Sequence, residues 1–105
     1  GETPIALRIT LNSDSSYNIL SYTKSQTKEG KDSIETCQVK YKKIGRKYFK
    51  FEEQNYLDKK INKLDFQKMY LYFHEKNDIK TLHGKWQSVS PRNSVKGEMF
   101  FTKVN

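Results

Sequence analysis

One cysteine, Cys37, is all the chain contains. That excludes an intramolecular disulfide framework and any zinc site built on cysteines. It leaves the compartment open, because a reduced cytosol and a one-cysteine secreted domain both fit. No run of about 18 apolar residues occurs, so no stretch is long enough to span a membrane as a helix. No secretory leader pattern opens the chain. The opening Gly1-Glu2, without a methionine, is what a processed chain or a tag scar leaves. Such a start is compatible with an upstream anchor having been cut away.

Catalytic signatures are missing as well. There is no P-loop, no Gly-x-Gly-x-x-Gly and no Gly-x-Ser-x-Gly elbow. Cys37 has the inward parity of its predicted strand, which suits a small core residue better than a nucleophile. Glu52 and Glu53 are adjacent, so in a strand they face opposite ways and cannot work as a carboxylate pair. The two histidines, His74 and His83, flank one predicted hairpin on its outer face. They stand one or two residue pairs out of line, with no third ligand nearby. The expectation is a protein that is not an enzyme, with no cofactor and no metal.

What the chain does have is aromatic mass and positive charge. Only 34% of its 105 residues are hydrophobic, but 13% are aromatic: seven Tyr, six Phe and one Trp. Each aromatic brings roughly 150–250 Å² of buriable surface, enough to close one small core. The length suits a single domain spanning 1–105. Twenty Lys and Arg against twelve Asp and Glu leave a net charge of +8. Such a surplus attracts anions such as nucleotides, phosphates or an acidic protein face, and it also serves plain solubility.

Period-two alternation dominates the hydropathy pattern. Ile5, Leu7, Ile9 and Leu11 mark one strand, and Asn12 to Ser16 supply turn chemistry. Tyr17, Ile19, Leu20 and Tyr22 mark a second, followed by a polar loop over 25–33. Cys37, Val39 and Tyr41 face one way on a third strand, and Phe49 and Phe51 on a fourth. Pairing Tyr41 with Phe49 asks for an odd loop, which Ile44-Gly45-Arg46 provides, with Gly45 available for a positive φ. Leu57, Ile61 and Leu64 behind Asn55 fit a short helix near 55–65 or, alternatively, a long charged loop. Met69, Leu71 and Phe73 face Leu82 and Trp86 across an even turn near Lys76-Asn77. The loop 88–96 carries Arg92, and Gly97 to Val104 forms the last strand. Seven strands with no repeated crossover helix predict an all-β antiparallel meander closing into a small barrel or sandwich.

The opposite side of the third and fourth strands collects Lys40, Lys42, Tyr48 and Lys50. One ring flanked by three ammonium groups is a candidate platform for an anion or a base. The same composition is ordinary on the wet side of an antiparallel sheet. With Arg92 these residues form the candidate ligand-binding set. The basic run from Lys40 to Lys50 lacks the glycine-aromatic order of RNA-recognition domains, so sequence-specific nucleic acid is not expected.

Leu82-His83-Gly84-Lys85-Trp86, followed by Gly97-Glu98-Met99-Phe100-Phe101, resembles the ending of small bacterial lipocalin-like β-barrels. Among these are the barrel domain of antiphage effectors with two transmembrane helices and the lipocalin-like lipoproteins of Bacteroidetes-type bacteria. The resemblance implies a barrel that binds a ligand, and for the effector group a cyclic nucleotide. It also implies a bacterial source. The compartment is then either the envelope or exterior after processing, or the cytoplasm as a domain of a truncated membrane protein. The alternative is a protein-interaction or inhibitor domain that engages a protein partner through a loop or a sheet edge.

Overall fold

The computed structural model describes residues 5–26, 29–58, 66–89 and 94–104. Seven strands follow one another: β1 (Ile5–Leu11), β2 (Tyr17–Gln26), β3 (Asp32–Gly45), β4 (Tyr48–Tyr56), β5 (Phe66–Lys76), β6 (Ile79–Val89) and β7 (Ser94–Thr102). They lie in one sheet in the order of the chain, an all-β antiparallel meander. This is the connectivity that up-and-down barrels use. No helix occurs among the described residues. Of the helix expected near 55–65, Asn55 and Tyr56 close β4 instead, and 59–65 lie outside the described residues. No described helix is long and apolar enough to cross a membrane.

The chain divides into two compact units, Gly1–Val39 with Gln54–Asn62 and Lys40–Glu53 with Lys63–Asn105. In the first, Ile19 pairs with Val39 and Ser21 with Cys37 in the β2–β3 register, and all four are buried. Cys37 thus takes the small core role its parity indicated. On β1 burial follows the alternation only over its first half. Ile5 and Leu7 are half-buried, but Ile9 and Leu11 are 46% and 62% exposed. Among the described residues β1 ends the strand order and pairs with β2, so its last apolar residues have a strand neighbour on one side.

The β1–β2 turn is closed by backbone and side-chain hydrogen bonds among its own residues. Asn12 N–H donates to the Ser16 carbonyl and Ser15 N–H to that of Asn12. The Asp14 carboxylate accepts from the Ser16 hydroxyl and backbone N–H, which holds its pKa below the ordinary carboxylate range. At the end of β4, Leu57 N–H donates to the Thr36 carbonyl at 2.8 Å.

In the second unit the core lies on one side of β4 to β6. Phe51, Met69 and Leu71 are buried, the last two completely. Removing each such side chain from water contributes about 1.5–3 kcal/mol. The registers set these residues in rows: Phe51 opposite Met69, Met69 opposite Trp86, Leu71 between Phe49 and Gly84. Trp86 is half-buried and closes over Gly97, its partner on β7.

Two turns of this unit differ in their chemistry. The β5–β6 turn is Asn77-Asp78, both with positive φ, the type I′ geometry that matches strand twist. It is an even turn, one residue further along than the expected centre. At the β3–β4 connection the left-handed residue is Lys47, with φ 56, and not Gly45. Gly45 remains in β3, and Arg46 and Lys47 bridge to Tyr48.

Candidate ligand-binding face

Because side chains alternate, the residues between those core positions point outward. Three registers then align one residue from each of four strands. Tyr48 on β4 stands opposite Tyr72 on β5, Tyr72 opposite His83 on β6, and His83 opposite Phe100 on β7. Every member of this row is a ring. Tyr48 and Tyr72 stack with centroids 4.0 Å apart and planes 13° from parallel. The next centroids are 6.1 Å apart, from Tyr72 to His83, and then 6.4 Å, from His83 to Phe100. The row is open to solvent: Tyr72 is 48% and Phe100 67% exposed.

Two residues along the strands runs a second outward row, Lys50, Tyr70, Lys85 and Glu98. Beyond it lies a third: Glu52, Lys68, Gln87 and Lys96. Lys50 Nζ sits 5.9 Å from the centroid of the Tyr70 ring, within cation–π range. It also pairs with Glu52 Oε1 at 2.9 Å. The hydrogen bond from Lys50, aided by the charges of Lys68 and Lys40, holds the Glu52 carboxyl below its ordinary range. The same bond to Glu52 raises Lys50. Both groups are therefore charged at neutral pH, and the charge of Lys50 is largely committed to Glu52.

Of the residues singled out in the sequence, Tyr48 and Lys50 stand together on this face. Lys40 and Lys42 are exposed on β3, and the charge of Lys40 reaches Glu52. Arg92 lies outside the described residues. The sequence reading missed Tyr70, Tyr72, His83 and Phe100, which only the registers bring to Tyr48. It also missed the acid that pairs with Lys50. Glu52 and Glu53 do face opposite ways: buried Glu53 accepts the Gln67 N–H at 2.8 Å. His83 stands opposite Tyr72 and His74 opposite Thr81, two residue pairs apart. Among the described residues no three His, Cys, Asp or Glu side chains gather as metal ligands would.

Chemically, the face offers ring surfaces and edges beside ammonium groups. It can stack a flat ring and attract a negative charge at once. No family model matches the chain, and neither a curated protein nor a solved structure is significantly similar to it.

Proposed function

We propose that this chain is a non-enzymatic binding module for an anionic small molecule carrying a flat ring. That is the nucleotide class, cyclic nucleotides included, and the outward face of β4–β7 is where it binds. The observation that carries the reading is the row Tyr48–Tyr72–His83–Phe100, left open to water beside Lys50 and Lys85. Large rings are normally core material, and leaving Tyr72, His83 and Phe100 exposed side by side forgoes burial energy. The surplus of +8 supports an anionic partner. A lipocalin-like kinship, carried by Leu82–Trp86 and Gly97–Phe101, belongs to the same proposal.

A nucleotide panel titrated at rising salt tests it. Affinity that falls as salt rises is the expected result. Binding undetectable for every anionic small molecule at low ionic strength would end the ligand reading. Changing Tyr48 and Lys50 together to Ala locates the site, because unchanged affinity would make this face ordinary surface.

A second reading rests on β1. Its exposed Ile9 and Leu11 lie on a strand that ends the sheet order, where a partner strand could add. The chain would then be a protein-interaction or inhibitor domain of an envelope lipoprotein or a secreted bacterial protein. A protein partner held through high salt, and released by Ile9→Lys, is what this reading expects.

A further inference from the structure

The aromatic row is longer than one nucleotide can use. Tyr48 and Tyr72 are closed on each other at 4.0 Å and admit nothing between them. The two intervals beyond them are different. A flat ring touching neighbours on both faces needs about 7 Å between their centres, two contact distances of about 3.5 Å. Tyr72 to His83 measures 6.1 Å and His83 to Phe100 6.4 Å, with planes tilted 31° and 24°. Each interval falls short by less than an ångström. Tyr72 is held against Tyr48, but His83 and Phe100 are exposed, so the row opens by these two moving away from the stacked pair.

Charge lies at the matching reach. Lys85 is two residues beyond His83 on β6, roughly 7 Å along the strand. Lys68 and Lys96 stand one row further, on β5 and β7. Lys85, opposite Glu98, lies nearest the two open intervals. Lys68, opposite Glu52, and Lys96 stand roughly 14 Å along the strands from the rings, and Lys50 is paired with Glu52 beside the closed pair.

We infer that this face takes single-stranded nucleic acid without reading its base sequence. Two successive bases seat in the Tyr72–His83 and His83–Phe100 intervals, and the phosphates lie toward Lys85, Lys68 and Lys96. Ring faces accept any base, because every base has a π-face. A duplex is excluded, since its bases are paired and stacked about 3.4 Å apart and cannot separate to straddle a side chain. The inference rests on the reading of this face as a site for rings and anions, and it adds that the ligand is a strand.

Fluorescence anisotropy of labelled octathymidylate, competed by thymidine monophosphate, tetrathymidylate and a blunt duplex, tests both levels. Tetrathymidylate should compete at least about tenfold better than the monophosphate, with the duplex weaker than either single strand. Phe100→Ala should weaken octathymidylate about tenfold, and Phe100→Trp should keep its binding. Phe100 is 67% exposed, so neither change disturbs the core, which far-UV circular dichroism checks. If the monophosphate competes as well as tetrathymidylate, the strand inference falls and the small-ligand proposal stands. If neither binds at low ionic strength, both fall. Octathymidylate binding that Phe100→Ala and His83→Ala leave unchanged would show attraction by charge alone and overturn the inference.

Discussion

Two glycines of the second unit make a matched test of how its core is packed. At Gly84 an added Cβ would lie 2.0 Å from the Tyr70 carbonyl oxygen and 3.2 Å from Leu71 Cα. Carbon and oxygen approach no closer than about 3.3 Å. Strands β5 and β6 would have to separate there by more than an ångström, and the obstacle is backbone, which no rotamer can move aside. Leu71 is the register partner of Gly84 and is fully buried, so the separation would also loosen the core. Overpacking usually costs about 1–3 kcal/mol, and a backbone collision belongs at or above the upper end. At about 4–8 °C per kcal/mol for a domain near this size, Gly84→Ala should lower Tm by roughly 12 °C or more. Gly97 supplies the contrast. There the added Cβ meets the Trp86 indole, 2.5 Å from Nε1 and 2.7 Å from Cε2. An indole can swing away, so Gly97→Ala should cost about half as much or less. Trp86 is the sole tryptophan, so its emission reports the swing directly. Thermal unfolding followed by far-UV circular dichroism, with emission spectra of the folded variants, reads both. Gly84→Ala melting with the parent protein, or Gly97→Ala melting below Gly84→Ala, would refute the argument.

Two further outcomes follow from local chemistry. The Glu52 pKa is lowered by Lys50 in the folded chain and ordinary in the unfolded one, so the pair's contribution is fully present above the ordinary carboxylate range. It disappears as pH falls through the lowered folded value, and Lys50→Met should abolish it. Urea unfolding across acidic pH should show the gap between parent and variant narrowing as pH falls, modest in size because the pair is about one-third exposed. A gap independent of pH would mean that the pair adds nothing. At the β5–β6 turn, Asp78→Gly relieves a positive φ of 64 and should add on the order of 0.5–1 kcal/mol, read as a higher urea midpoint.

The seven strands were legible because alternation survives even in a chain this polar. Their ends were not. β2 runs through Lys24 to Gln26, and β3 through Lys42 and Lys43, across residues that carry no hydrophobic signal. What keeps those residues in strand is backbone pairing with a neighbour, and hydropathy does not record it. The β5–β6 hairpin was the easier case. Its turn is two residues long, so parity leaves few registers to choose between. Ile9 and Leu11 show the opposite failure. Alternation marks which residues share a side, but exposure on that side depends on having strands on both flanks.

The candidate face was half legible for the same reason. Tyr48 and Lys50 share the outward parity of one strand, so a single stretch of sequence reveals them. Adding Tyr72, His83 and Phe100 requires three registers at once, and residues 48, 72, 83 and 100 have no periodic spacing in the chain. Phe100 is the hardest. It sits between Met99 and Phe101, three apolar residues in succession, where alternation assigns no side. Pairing with His83 settles it: Met99 and Phe101 are half-buried, and Phe100 is left 67% exposed. Core packing explains the first two and gives no reason for the third. An exposed phenylalanine beside an exposed histidine and tyrosine is a solubility liability that a charged residue at any of these positions would remove. That a chain with twenty cations places rings at these four adjacent positions is the strongest reason to look for a ligand that stacks.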